Sequence, residues 1–183
     1  MLGGVEPTVV VLTGLPGTGK STLADELARR IGAPAFTGDW LLGALAPLGV
    51  LDDLDRPTVL SVYFGLLDSL VTRQLLLGQS AVVDAVLDDA TALRWRQNVE
   101  RHGGRLLIVQ CVCGDPALHR QRVEGRRRDI PGWHEIGWDH VERMRAEFRP
   151  VTAPDLTLDA VDPLDANLTA LTALVKQRGA GLR

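Results

Sequence analysis

Apolar and polar positions change their period repeatedly along the chain, and the changes mark out strands alternating with helices. Thr8–Thr13 (TVVVLT) is an unbroken apolar run and predicts a buried strand. Residues 14–19 then read as a turn. Leu23, Leu27 and Ile31, at i, i+4 and i+8, lay an apolar stripe along the helix that follows. Residues 33–37 predict a weak second strand. Asp55 and Pro57 open a long helix carrying Val59, Val62, Leu66 and Leu70, which Gly78 closes. Residues 81–83 predict a third strand, and 91–102 a helix stopped by Gly103-Gly104. Residues 106–112 form the most apolar run, as a strand buried on both faces requires. Asp115-Pro116 and Asp162-Pro163 each cap a helix, the second carrying Leu164, Leu168, Leu171 and Val175. Residues 156–158 predict the last strand, and the stripe Val141, Met144, Phe148 reads as core. Strands and helices alternate with no hairpin signal, so the fold class is α/β. The expected architecture is a three-layer sandwich, a five-stranded parallel sheet with helices on both faces.

Composition narrows this only at a few points. The 183 residues match one domain, and no repeat, low-complexity tract or linker divides them, so residues 1–183 are expected to form a single unit. Hydrophobic residues at 45% and charged residues at 23% exclude wholesale disorder and collagen-like sequence. No stretch approaches the ~20 apolar residues of a membrane span. Residues 1–8 show neither a basic patch nor a long apolar run, which argues against a secretory leader. A net charge of −3 gives no global attraction to nucleic acid or anionic lipid. Cys111 and Cys113 alternate within one strand, share a face and cannot easily pair; they read as reduced, buried thiols of a cytoplasmic protein. Of the 20 basic residues only Lys20 and Lys176 are lysine, so a lysine in the body of the chain calls for a reason.

Lys20 has one. Gly14-Leu15-Pro16-Gly17-Thr18-Gly19-Lys20-Ser21 fits GxxxxGK[ST] at every fixed position, between a strand and an amphipathic helix, and Thr22 continues it into that helix. Glycines let backbone N–H groups converge on phosphate oxygens, and the helix start adds its positive end. Lys20 supplies a slim point charge to the β- and γ-phosphates where a planar guanidinium would not fit, and the Ser21 hydroxyl is placed to ligate Mg²⁺. No NKxD base-reading motif of GTPases occurs, and an AAA-type machine would need a longer chain with a helical lid domain. A compact kinase using ATP and Mg²⁺ is the leading reading; a nucleotide-dependent ATPase or switch acting through a partner, and a kinase of nucleotide or polynucleotide 5′-ends, are the alternatives.

Three further features suit that reading, each with a plainer alternative. Asp39, in Thr37-Gly38-Asp39-Trp40 after the second strand, can accept the proton of a substrate hydroxyl or cap the helix starting at Trp40. Asp84 ends the third strand and can hold an Mg²⁺-bound water, touch the substrate or be a polar strand end; Asp88 and Asp89 read as a helix cap. Arg120, Arg122, Arg126, Arg127 and Arg128 precede Asp129-Ile130-Pro131-Gly132-Trp133, which suits a lid over roughly residues 122–137. Arg120, Arg127 and Arg128, taken singly, read as a solvated basic face. A nucleic-acid patch fits poorly with the acidic balance and the lack of interleaved aromatics. Tyr63, Phe64, Trp133 and Trp138 can line an acceptor pocket or serve as core. The four histidines lack HxH or HxxxH spacing, so no zinc site is expected.

The GLPGTGKST loop, TGDW, VVDAV, and RVEGRRRD followed by PGWHE and WDHV resemble the small P-loop kinases over nearly the whole chain. Similar families are the gluconate and shikimate kinases, chloramphenicol phosphotransferase, the zeta-toxin kinases and the 5′-polynucleotide kinases. The resemblance implies that Arg122 stacks on adenine, that Arg126 contacts phosphates and that Asp39 is the base. It offers no match to the acceptor-reading arginines of the sugar-acid members. Between Asp39 and Arg96 four basic residues face eight acidic ones. That balance points to a neutral or amine-bearing acceptor rather than a phosphorylated one.

Overall fold

The computed structural model describes residues 6–179. The chain runs β1 (Thr8–Thr13), α1 (Lys20–Ile31), β2 (Ala35–Thr37), α2 (Gly38–Leu45), a 3₁₀ turn (Ala46–Leu48), α3 (Arg56–Leu76) and β3 (Ala81–Asp84). It continues through α4 (Asp89–Arg101), β4 (Arg105–Val112), α5 (Pro116–Gly125), α6 (Trp138–Glu147), β5 (Leu156–Asp159) and α7 (Leu164–Gly179). The strands form one parallel sheet in the order β2-β3-β1-β4-β5. Every carboxyl strand end therefore lies on one edge, and the loops after the strands gather there around the central β1.

Alternate residues of each strand feed two cores, one on each sheet face. Val9 and Val11 of β1, with Val83, Leu106 and Ile108, pack against Leu67, Val71 and Leu75 of α3 and against Trp95 and Val99 of α4. Val10, Leu12, Val82, Leu107 and Val109 pack against Leu23 and Leu27 of α1 and Leu168 and Leu171 of α7. Each such Leu contributes roughly 1.5–3 kcal/mol by leaving water. The three layers and the five parallel strands agree with the sequence.

Several details differ. The buried stripe of α3 is Leu67, Val71 and Leu75, while Val59, Val62, Leu66 and Leu70 are only half-buried. Asp55 and Asp88 are the N-caps, accepting from the Thr58 and Thr91 amides; Asp89 lies inside α4 and binds Thr152. Asp39 is no cap, because α2 begins at Gly38 with Thr37 as its N-cap residue. Strand β2 starts only at Ala35, while β3 does end in Asp84, as the sequence reading has it. Cys111 is buried, and burial pushes its thiol up to about 12, but Cys113 lies past the end of β4 and is half-exposed. Of the stripe on α6 only Val141 is buried. At 21 residues, α3 is long and apolar enough to cross a membrane by length and composition, contrary to the expectation of no such stretch. It nevertheless packs a face on the sheet. The leader reading of residues 1–8 falls largely on residues outside those described.

Candidate functional site

The loop between β1 and α1 can adopt its path only with glycine at two close approaches. Gly14 has φ 141, and a Cβ there would stand 2.1 Å from the Cys111 carbonyl oxygen on β4. Gly17 has φ 87, and its Cβ would meet a Val123 methyl of α5 at 2.4 Å. The loop braces itself through one carbonyl: Leu15 O accepts from Thr18 Oγ1 at 2.8 Å and from Lys20 Nζ at 2.9 Å. Lys20 is buried, the first residue of α1, so its charge is held at the helix start. Ser21 Oγ donates to Asp84 Oδ2 at 2.5 Å, tying α1 to the end of β3. Asp84 is buried, and burial raises its carboxyl above the usual carboxylate range; the Lys20 charge and the Ser21 hydrogen bond oppose that rise.

Asp39 occupies the first turn of α2, two residues past Thr37, which is in register with Asp84. The two carboxylates thus hang from neighbouring strand ends. Their partners differ. Arg128 Nη1 donates to Asp39 Oδ2 at 2.5 Å, with the Arg128 and Asp39 side chains 16% and 26% exposed. Glu135 holds Arg128 from behind, accepting from its backbone N–H at 2.8 Å and facing its Nε at 3.7 Å. The Tyr63 ring of α3 presses on Gly38, where a Cβ would stand 1.8 Å from its Cε2. Burial drives the Tyr63 phenol well above its usual value, helped by the nearby charges of Asp84 and Asp39.

Residues 126–137, between α5 and α6, dock on α2. Ile130 is buried, and the built Cβ of Gly43 would meet Pro131 O at 2.6 Å and Ile130 and Trp133 side-chain atoms at 3.1 and 3.3 Å. Arg126, at the C-cap of α5, is half-buried; its Nε and Nη2 are out of water with no partner among the described residues. Burial and the neighbouring Arg128 lower its pKa, while Glu135, Asp39 and Asp84 pull it back.

The AAA domain family matches residues 9–151. The chain belongs to that family. A search of curated proteins gives no match. Among solved structures, a gluconokinase from Sinorhizobium meliloti superposes with TM-score 0.68 at 16% identity, over 96% of this chain and 95% of its own. A sugar kinase from Janibacter gives 0.66 at 17%, over 96% and 97%. The Mycobacterium tuberculosis APS kinase, solved with AMPPNP and APS, gives 0.64 at 20%, over 93% and 98%. The fold is that of the P-loop kinases.

In this AAA-family chain the structure brings Gly14 to Ser21, Asp39, Asp84 and Arg126 to one edge of the sheet. Thr22 is exposed on α1, and Arg122 is exposed on α5 beside Asp159. Arg120 pairs with Glu124 on the surface and Arg127 is exposed, as a solvated face requires. Arg128 corrects the sequence reading: it is mostly buried and paired with Asp39. His119, which the sequence weighs only as one of four histidines without zinc spacing, is buried at the loop, with Nε2 2.8 Å from Pro16 O. No group of three His, Cys, Asp or Glu suited to a metal occurs among the described residues. Ser21 and Asp84 offer two oxygen donors, which fits Mg²⁺, an ion that takes its other ligands from waters and phosphates. The unpartnered Arg126 nitrogens and the glycines of the loop fit a phosphate chain.

Proposed function

We propose that the chain is an ATP- and Mg²⁺-dependent phosphotransferase that moves the γ-phosphate onto a hydroxyl of a small neutral or amine-bearing molecule. The observation that carries this reading is the pair of unlike carboxylates on adjacent strand ends. Asp84 is bound to the phosphate-loop serine, and Asp39 is bound to an arginine of the segment docked over α2. An ATPase needs the first; the second supplies a base for an acceptor.

Gly14 to Ser21 would bind the phosphates through loop N–H groups and Lys20, with Thr22 continuing α1 and Arg122 against the base. Ser21 and Asp84 would hold Mg²⁺, which when bound spreads negative charge off the phosphates. Asp39 takes the proton from the acceptor hydroxyl, whose oxygen forms a bond to the γ-phosphorus. The bond from that phosphorus to the bridging oxygen breaks, and ADP leaves with the electron pair. Residues 122–137 act as a lid within a domain spanning 1–183: Arg126 faces the transferring group, and Arg128 aims Asp39. Trp133 and Tyr63 exclude water.

Charge supports the acceptor class. Of the four basic residues between Asp39 and Arg96, Arg56 pairs with Glu147 and Arg94 stands over the Phe64 ring. Arg73 lines a groove between α3 and α4. Of the eight acidic residues, Asp55 and Asp88 are helix caps, Asp89 binds Thr152, Asp68 lines the same groove as Arg73, and Asp52 and Asp53 are exposed in the turn before α3; Asp39 and Asp84 stand at the strand ends. A screen of ATP consumption at fixed low salt across neutral, cationic and phosphorylated hydroxyl compounds tests the class. Highest turnover with nucleoside monophosphates or 5′-hydroxyl oligonucleotides would refute it. The same reading implies a soluble enzyme acting on small molecules in the cytoplasm.

A further inference from the structure

Against the phosphate loop, three side chains from two helices lock together. His119 of α5 is 2% exposed, and its Nε2 lies 2.8 Å from Pro16 O, 103 residues away in sequence. A carbonyl oxygen only accepts, so Nε2 carries the hydrogen. Its Nδ1 lies 3.1 Å from Nη2 of Arg145 on α6, and a guanidinium only donates, so Nδ1 is the bare lone pair. The two partners therefore select one neutral tautomer. Trp138 completes the cluster: its ring is edge-on to His119 with centroids 5.2 Å apart, and the Arg145 guanidinium stacks over it at 5.3 Å.

The consequence for the loop follows from peptide geometry. In a trans peptide the carbonyl of one residue and the N–H of the next point in opposite directions. His119 draws the Pro16 carbonyl toward α5, so the Gly17 N–H is turned away from α5. Gly17 also lacks the Cβ that would strike Val123 and the imidazole, at 2.4 and 3.1 Å. His119 and Val123, one turn apart on α5, are thus the surface against which the apex of the loop is cast.

We propose that His119 is a positioning residue of the phosphate loop, fixing the Pro16–Gly17 peptide so that the Gly17 N–H serves the nucleotide phosphates, and that Arg145 holds it in the required tautomer. This rests on the nucleotide reading of the loop and goes beyond it, because neither residue belongs to the GxxxxGK[ST] motif. The charged groups around the ring are Arg145 on α6, Lys20 on α1 and Arg126 in the docked segment, all cations. They join burial in holding His119 below its usual pKa. Burial and these three cations outweigh the Pro16 hydrogen bond, which favours the charged ring, and keep the imidazole neutral.

The test uses the full chain and titrates ATP by calorimetry, with no acceptor, for the unaltered protein, His119→Leu and His119→Gln. Leucine fills the space without a donor; the glutamine amide nitrogen can reach Pro16 O. ATP affinity falls about tenfold in His119→Leu, the scale of one orienting hydrogen bond, and returns to within about threefold in His119→Gln. Nitrogen-15 NMR of the unaltered protein shows His119 protonated at Nε2 and bare at Nδ1, and the Gly17 amide resonance moves in His119→Leu. Melting temperatures of both variants separate positioning from folding. Wild-type affinity in His119→Leu, or equal loss in both variants in step with their melting temperatures, would overturn the proposal. No ATP binding by the unaltered chain would overturn the nucleotide reading beneath it, an outcome visible before any variant is measured.

Discussion

Asp84 and Asp39 are the same side chain at the ends of neighbouring strands, yet their surroundings make them different groups. Asp84 is sunk in the sheet edge, and its direct partner is a neutral hydroxyl, with the Lys20 charge nearby. Its charge is costly where it stands, and a cation arriving with the substrate would relieve that cost. Asp39 stands partly in water and is clamped by a guanidinium that arrives from a distant segment. Its charge is already balanced and its direction set. Burial and partner, not residue type or position on a strand, set the two apart, and on the proposed reading the first would serve a metal and the second a proton.

The largest expected effect removes a group that serves the Asp84 side. Lys20→Ala should lower ATP turnover by roughly 10²- to 10³-fold or more, the scale of losing one aimed charge from a transition state. Far-ultraviolet circular dichroism should stay unchanged, because the remainder of α1 packs through Leu23 and Leu27. Turnover within a few-fold of normal would remove the nucleotide reading from the loop.

Asp39→Asn should reduce acceptor phosphorylation by roughly 10²-fold while ATP affinity stays within a few-fold. It also strands the mostly buried Arg128 without its carboxylate, so stability should drop by about 1–3 kcal/mol in chemical denaturation. A variant that melts earlier but phosphorylates normally would make Asp39 a structural anchor only.

Asp84→Asn should move stability the other way. The folded-state carboxyl lies above its unfolded value, so between the two the folded protein keeps a proton that the unfolded chain has released. Stability of the unaltered protein therefore falls as pH rises through that interval, and asparagine removes the penalty. The melting-temperature advantage of Asp84→Asn should open as pH rises above about 4, measured without Mg²⁺. The same variant should lose the gain in ATP affinity that Mg²⁺ confers. A uniform drop in stability at all pH values would contradict the division drawn here.

The smallest effects come from two adjacent arginines. Arg126→Ala should reduce turnover more than it weakens ATP binding, since the unpartnered guanidinium matters most when charge develops on the phosphoryl group. Arg127→Ala, on the exposed side, should leave both within about twofold, as surface substitutions do. Equal effects at the two positions would mean that the docked segment carries no aimed charge.

What the sequence revealed follows the distance over which each feature is encoded. The phosphate loop lies in eight consecutive residues whose types are dictated by close backbone approach, at Gly14 against Cys111 and Gly17 against Val123, so the string alone showed it. The strands were legible because a parallel sheet covered on both faces demands unbroken apolar runs. The stripe on α3 was misplaced because the helix is apolar nearly all round, and periodicity could not tell Leu67, Val71 and Leu75 from their half-buried neighbours. The pairing of Asp39 with Arg128 joins residues 89 positions apart, and that of Pro16 with His119 joins residues 103 apart. Neither leaves a periodic or spacing signal. Arg128 looked like one more cation in an arginine run, and only the docking of residues 130–133 on α2 singles it out.

The most direct test of the central claim follows the γ-phosphorus of ATP itself by phosphorus-31 NMR, with the best acceptor from the screen present and then omitted. A kinase gives a phosphate-monoester resonance of the acceptor growing one-for-one with ADP, and at least about tenfold slower ADP formation when the acceptor is omitted, from loss of the aligned nucleophile. Inorganic phosphate as the sole product, formed at a rate indifferent to every acceptor offered, would contradict it and make the chain a nucleotide hydrolase or switch.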